Sequence, residues 1–241
     1  MRIKRFFLLA FFTSIFGVAC SINNAEAFTT ANQYSVLSSP ISTNSNSTSL
    51  ISTIPTSNQP VLTLTPTIPP PQPAKRLFDE FIDAIKNGDK KRIVGIYVEN
   101  KLALRVIYQP ANDPGFVSSN IGVATYFLLP YTVARNHGFL AHNFLSGGLF
   151  FGLKLGDIVQ VIWGDGSYDD FEILKLREFQ ALSPNSTKSD FIDLSTGEKV
   201  NANTLFIEIY KGKFHIALQT CISRDNEGSW GRLFILAPPA N

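Results

Sequence analysis

The stretch DIVQVIWGDGSYDDFEILKLREF, residues 157–179, contains the clearest local pattern in the chain. Apolar and polar residues alternate on both sides of a Gly-Asp-Gly-Ser segment at positions 164–167. Alternation with a period of two is typical of a half-buried strand, and glycine beside aspartate suits a tight turn. The pattern therefore predicts a β-hairpin with strands at residues 157–163 and 168–179.

Short runs of this kind recur along the chain from residue 92, interrupted by Gly, Pro, Asn and Asp. They are rich in β-branched and aromatic residues, which is the signature of an all-β domain. About 145 residues with this many strands favour one closed barrel or sandwich over two domains. We count eight predicted strands, near residues 92–98, 102–108, 121–128, 138–144, 157–163, 168–179, 213–221 and 232–237.

A helix is predicted to precede these strands, starting near Lys75. Apolar residues at positions 77, 78, 81, 82 and 85 have helical spacing, and Asn87-Gly88 ends the pattern. Residues 180–203 form a long polar connection, which we interpret as a binding loop. A short helix is expected at residues 204–210, capped by Asn203 or Thr204.

The N-terminus has the composition of an export signal. Residues 1–5 carry three basic side chains, and residues 6–19 are apolar, too short a run for a comfortable membrane span. We favour ordinary cleavage after Ala27 over lipidation at Cys20, which follows a lipobox-like Gly-Val-Ala. Both routes predict an exported protein, at the cell surface or secreted.

Residues 28–74 are dominated by Ser, Thr, Asn and Pro without periodicity. Such a segment buries too little apolar surface to offset its ordering entropy, so we expect a disordered linker. The folded domain is then expected at residues 75–241. A net charge of +2 without a concentrated Lys/Arg patch gives no indication of a nucleic-acid partner.

The chain contains two cysteines, Cys20 and Cys221. Because Cys20 is either removed with the signal or lipidated, Cys221 is predicted to be the only thiol in the folded part. An unpaired cysteine in an exported domain is a candidate reactive thiol. One cysteine and three scattered histidines show no metal-ligand spacing, and no cofactor is implied.

A nucleophilic thiol needs a proton-accepting or cationic neighbour. His215 shares the predicted strand of Cys221 but would lie about 20 Å along it. His137 is predicted to lie in a solvated turn. His142 interrupts an apolar strand, which fits either a barrel rim without chemistry or a general acid/base. Arg232, after Gly228–Gly231, is either a solvated strand end or an oxyanion donor.

These residues resemble the sortases, cysteine transpeptidases of the bacterial cell surface. The order is a histidine on a mid-barrel strand, a Thr-Leu-x-Thr-Cys motif, and then an arginine that opens the last strand. Here His142 is followed by Leu218-Gln219-Thr220-Cys221 and, eleven residues later, by Arg232. Ala217 stands at the first threonine of the motif. The resemblance spans about residues 91–237.

The resemblance implies an eight-stranded barrel in which Cys221 attacks a peptide carbonyl to give a thioester. His142 would be the general acid/base, and Arg232 would position the carbonyl and stabilise its oxyanion. The implied partners are a peptide or protein with a sorting-type motif, an amine acceptor such as a cell-wall or pilin-like amine, and a membrane tether through the N-terminus.

Other classes fit the residues less well. In L,D-transpeptidases the cysteine follows His and Gly, whereas Cys221 follows Gln219 and Thr220. Papain-type peptidases place their cysteine before their histidine in the chain. A non-catalytic or purely hydrolytic β-barrel module at the cell surface remains the alternative to a transpeptidase.

Overall fold

The computed structural model describes residues 74–129, 136–186 and 188–241. The predicted signal, residues 1–27, and nearly all of the predicted linker, residues 28–74, lie outside these ranges. Within the described residues, no helix has the length and apolar character needed to cross a membrane.

Strands dominate the described residues, with two α-helices and a 3₁₀ helix. In chain order the elements are α1 (Ala74–Ile85), β1 (Ile93–Val98), β2 (Leu102–Tyr108), β3 (Val123–Phe127), β4 (His137–Leu140), the 3₁₀ helix (Ser146–Gly152), β5 (Ile158–Trp163), β6 (Tyr168–Glu172), β7 (Lys175–Ala181), β8 (Phe191–Asp193), β9 (Lys199–Val200), α2 (Ala202–Tyr210), β10 (Ile216–Arg224) and β11 (Glu227–Ala237).

The eleven described strands form one sheet in the order β6-β5-β1-β2-β3-β4-β10-β11-β7-β8-β9. Neighbouring strands are antiparallel except for the parallel pairs β2–β3 and β4–β10. The sheet fits the prediction of an all-β domain, and the hairpin predicted at residues 157–179 is confirmed for β5 and β6. The prediction of a closed barrel of eight strands is wrong, because the sheet is open and has eleven.

The strand count differs because the run at residues 168–179 is two strands. Strand β6 pairs with β5, whereas β7 pairs with β11, so the chain changes neighbours at Ile173 and Leu174. The amide of Ile173 donates to Asp157 O, and that of Leu174 donates to Leu236 O. Hydrophobic alternation continues across this change and therefore conceals it. The predicted loop at residues 180–203 also contains β8 and β9, which are too short to show alternation.

The sheet nevertheless curls, because the C-terminal residues return to strand β6. Phe171 and Pro239 form an isolated bridge, and the amide of Glu172 donates to Pro238 O at 3.0 Å. This contact brings the end of β11 next to β6 without a continuous ladder.

Three clusters of buried side chains occupy the two faces of the sheet. The largest fills the curl and includes Ile96, Phe139, Phe150 and Leu218. On the other face, α2 covers a second cluster that contains Cys221. Helix α1, confirmed close to its predicted start, packs on β1 and β5 through a third cluster that includes Phe78, Ile85, Tyr97 and Ile162.

Helix α2 begins two residues before the prediction. Asn201, not Asn203 or Thr204, is its N-cap and accepts a hydrogen bond from Thr204 N at 2.9 Å. An ion pair between Arg177 on β7 and Asp193 on β8 ties the neighbouring strands together. Burial alone would raise the pKa of Asp193, but hydrogen bonds from Ser195 and Arg177 outweigh it and lower the pKa to about 2.

Candidate functional site

The three predicted site residues lie on or next to strands β4, β10 and β11, which are consecutive in the sheet. Cys221 on β10 lies directly opposite Arg232 on β11. Directly opposed residues of an antiparallel pair share a face, with their Cβ atoms about 4.5–5.5 Å apart. The structure thus brings Cys221 and Arg232 side by side.

His142 lies just beyond the end of β4. The parallel register pairs Leu140 with Gln219, and the amide of Ala141 still donates to Gln219 O at 3.2 Å. Continued by two residues, this register brings His142 level with Cys221, on a strand about 4.8 Å away. Because side chains alternate between faces, two steps from a shared face keep His142 and Cys221 on the same side.

All three residues are buried: His142 is 4% exposed, and Cys221 and Arg232 are fully buried. The Arg232 guanidinium donates to Ser229 O and Gly231 O, each at 2.9 Å, and to Pro184 O at 3.4 Å. Burial lowers the pKa of Arg232 to about 10, and the carboxylate of Glu227 opposes this shift. The guanidinium is therefore still charged at neutral pH.

In the structure of the 241-residue chain, Cys221 is disulfide-bonded. Cys20, the other cysteine in the sequence, lies outside the described residues. The prediction of a lone thiol concerns a chain from which Cys20 has been removed with the signal or in which it has been lipidated, and it stays a prediction. A disulfide sulfur is not a thiolate, so a nucleophilic role can belong only to the reduced form.

The backbone before His142 is fixed to the strand that carries Cys221. The hydroxyl of Thr220, the residue before Cys221, donates to Ala141 O at 2.9 Å. His142 O in turn accepts from the amides of Leu145 and Gly147, at 3.0 and 2.9 Å, as the chain enters the 3₁₀ helix. The turn that holds the histidine is thus attached to both neighbouring elements.

Two residues after the histidine were not predicted as part of the site. Asn143 Nδ2 donates to Ser223 Oγ at 2.6 Å and to Gly228 O at 3.1 Å. The Phe144 ring stacks on the His142 ring, with centroids 5.0 Å apart and planes at 24°. Both residues directly follow the predicted histidine, but spacing along one chain does not indicate a contact with a strand about 80 residues away.

Helix α2 supports the site from the same face of the sheet. The Tyr210 hydroxyl donates to Gln219 Oε1 at 2.5 Å, two residues before Cys221. Burial raises the pKa of Tyr210 above its ordinary value, so the hydroxyl keeps its proton and acts as a donor. Gln219 is only 2% exposed, so it is a buried polar residue on the strand that carries Cys221.

The other two histidines lie elsewhere. His137 opens β4, where its Nδ1 is 2.7 Å from the Tyr126 hydroxyl, so the prediction of a solvated turn is wrong. By alternation it lies on the opposite face from His142. His215 precedes β10, and its ring nitrogens lie 2.8 Å from Lys213 O and 2.7 Å from Ile209 O. It therefore contacts a carbonyl in the last turn of α2 and lies six residues before Cys221 in the sequence.

The segment predicted as a binding loop borders the site at one point. Pro184 O contacts Arg232, and Asn185 Oδ1 lies 3.2 Å from the Ser229 hydroxyl. The Ser229 hydroxyl also donates to Glu227 at 2.8 Å. This polar cluster holds the turn after β7 against the strand that carries Arg232.

No protein-family model and no curated protein sequence matches the chain. The structure is similar to that of sortase A of Listeria monocytogenes, with 12% sequence identity and a TM-score of 0.36. The match covers 62% of this chain and 88% of that chain. Sortase C of Clostridium perfringens SM101 is 10% identical, with 70% of this chain and 85% of that chain covered and a TM-score of 0.37. The Clostridium perfringens sortase D5 transpeptidase is 14% identical, with 70% of this chain and 91% of that chain covered and a TM-score of 0.36. Similarities at this level carry no argument about activity.

Proposed function

We propose that the chain, in its reduced form, is a sortase-like cysteine transpeptidase that cleaves a peptide through a thioester on Cys221. The observation that supports the proposal most is the placement of Cys221 opposite Arg232 on β10 and β11, with His142 just beyond the end of the neighbouring strand β4. His142 precedes the hairpin of Cys221 and Arg232 by about 80 residues of sequence, and the three have the types that acyl transfer requires: an imidazole, a thiol and a guanidinium. They are also the residues that the sequence motifs single out.

In the first half of the reaction the sulfur attacks the substrate carbonyl carbon. A C–S bond forms, the scissile C–N bond breaks, and His142 gives a proton to the leaving amine. The charge that develops on the carbonyl oxygen lies beside Arg232, whose buried guanidinium stabilises it more strongly than an exposed one would. The fixed charge also favours a thiolate over a thiol at Cys221.

In the second half an amine attacks the thioester carbonyl. His142 removes a proton from the incoming nitrogen, the new C–N bond forms, and the thiolate of Cys221 leaves. Water in place of the amine gives a carboxylic acid and makes the same site hydrolytic. The substrate is a peptide or protein with a sorting-type motif, and the acceptor is an amine of the cell wall or of a pilin-like protein.

We place this reaction outside the cytoplasm, at the cell surface or in the secreted fraction. The support is the composition of residues 1–27 and the long polar linker that follows. Cleavage after Ala27 would remove Cys20 and release the domain, whereas lipidation of Cys20 would tether it to the membrane.

A non-catalytic β-sheet module is the second candidate. The complete burial of Cys221 favours it, because a thiol that no substrate reaches cannot form an acyl-enzyme. The two candidates make opposite predictions for the reduced protein, so one screen separates them.

The test is a peptide-library cleavage screen on the purified protein under reducing conditions, with and without an amine acceptor. We expect cleavage by the wild type, none by Cys221→Ala or His142→Ala, and near wild-type rates for His215→Asn as the matched histidine control. Cleavage that survives in Cys221→Ala would refute the proposal. No cleavage by the reduced wild type would favour the non-catalytic module.

A further inference from the structure

The turn that holds His142 is attached to the neighbouring strands on both sides of the histidine. Before His142, Ala141 O accepts from the Thr220 hydroxyl at 2.9 Å. After it, the Asn143 amide donates to Ser223 Oγ at 2.6 Å and to Gly228 O at 3.1 Å. Thr220 and Ser223 lie on either side of Cys221, so the two attachments bracket both the histidine in its turn and the cysteine on β10.

Asn143 has the chemistry that this position requires. Its Nδ2 carries two hydrogens, and two acceptors from two strands lie within hydrogen-bond distance. The Ser223 hydroxyl in turn donates a hydrogen bond to Gly228 O at 3.2 Å. An aspartate of the same shape has no hydrogen to donate, and its carboxylate would face the carbonyl of Gly228.

The attachment joins the histidine turn to both of the strands that carry the other site residues. Ser223 belongs to β10, two residues after Cys221, and Gly228 belongs to β11, four residues before Arg232. The paired part of β4 ends at Leu140, so β-sheet pairing alone does not fix the position of His142.

We propose that Asn143 is a positioning residue that holds His142 level with Cys221 and Arg232. The proposal rests on the proposed function, since a positioned acid/base matters only if the site transfers acyl groups. Asn143 touches neither sulfur nor guanidinium and acts through the backbone of the residue before it. Loss of its two donors leaves the turn attached to β10 only on the N-terminal side of the histidine, where Ala141 bonds to Thr220 and Gln219.

The test compares Asn143→Ala, Asn143→Asp and Ser223→Ala in the full chain under reducing conditions. Asn226→Gly is the matched control, because Asn226 lies in the same hairpin at a positive φ of 66°, which glycine adopts freely. For Asn143→Ala we expect kcat to fall by about 10- to 100-fold with KM nearly unchanged, the range that a misplaced catalytic group can cost. Asn143→Asp should resemble Asn143→Ala, and Ser223→Ala should lose less.

Two further readouts separate positioning from a purely structural role. The pH–rate profile of Asn143→Ala should shift at least one limb, because the environment of His142 changes. The NMR titration of the His142 imidazole should move in Asn143→Ala and stay in place in Asn226→Gly, whether or not the protein turns over substrate.

The outcomes distinguish the two proposals. An active wild type whose kcat, pH–rate profile and His142 titration are unchanged in Asn143→Ala refutes the positioning role. An equal loss in Asn226→Gly refutes it as well, since the effect would then belong to the hairpin as a whole. If the wild type is inactive but the His142 titration shifts in Asn143→Ala and not in Asn226→Gly, the proposed function is refuted. The positioning of His142 by Asn143 is then still supported.

Discussion

A single methyl group at Gly147 should separate the histidine turn from the cysteine strand. A Cβ built on Gly147 would lie 2.5 Å from Ala141 O and 2.8 Å from His142 O, and closer still to the Thr220 hydroxyl. Thr220 and Ala141 are the two partners of the 2.9 Å hydrogen bond that joins β10 to the residue before His142. The methyl group of Gly147→Ala therefore enters that hydrogen bond.

The size of the effect follows from these contacts. Cβ atoms essentially never approach other atoms within 3.0 Å, so two backbone oxygens and a hydroxyl must move. Overpacking of this kind costs about 1–3 kcal/mol, and loss of the buried hydrogen bond adds about 1 kcal/mol. For a chain of this size we expect the melting temperature to fall by about 2–4 °C per kcal/mol.

The chain offers a matched control in the same 3₁₀ helix. A Cβ at Gly152 would meet nothing within 4 Å, so Gly152→Ala should change the free energy of unfolding by less than about 1 kcal/mol. Thermal and urea unfolding of both variants measure the difference, and peptide cleavage below the melting temperature measures the effect on activity. If Gly147→Ala is as stable as Gly152→Ala, the packing between the histidine turn and β10 is not as described.

Three further changes test other parts of the site and the fold. Arg232→Lys keeps a charge but loses the planar fork, so we expect kcat to fall by about 10²-fold or more in the cleavage assay; full activity would leave Arg232 a structural residue. Phe144→Ala removes the ring stacked on His142 and should alter the pH–rate profile while the melting temperature changes little; an unchanged profile would contradict a role for the stack. The carboxyl of Asp193 has a pKa of about 2 in the folded state, so it contributes stability above pH 3.8 that is lost as the pH falls towards 2. Asp193→Asn should therefore be less stable at neutral pH, and its free energy of unfolding should depend less on acid pH. Parallel curves of stability against pH for the variant and the wild type would contradict this.

The β-hairpin and the leading helix could be predicted because each has a local signature. Alternation gave β5 and β6, helical spacing gave α1, and the motif around Cys221 singled out the cysteine, His142 and Arg232. Cys221 and Arg232 are paired on β10 and β11 and His142 follows β4, while the catalytic roles of the three stay a proposal.

The remaining features depend on contacts between distant parts of the chain. The change of neighbours at Ile173 leaves alternation intact, and a strand of two residues such as β9 has no detectable period. The environment of His137 depends on the Tyr126 hydroxyl, which belongs to the strand next to it. The contacts of Asn143 cross about 80 residues of sequence, and an asparagine after a histidine has no distinctive pattern by itself.

Intact-protein mass spectrometry tests the central claim most directly. The reduced wild type is mixed with the peptide that the cleavage screen identifies, without an acceptor amine, and the mixture is quenched in acid. We predict a mass increase equal to the free N-terminal fragment of the peptide less one water, located at Cys221 by digestion and released by neutral hydroxylamine, as expected for a thioester. Turnover of the same peptide with no hydroxylamine-sensitive adduct, or an adduct at another residue, would contradict the account.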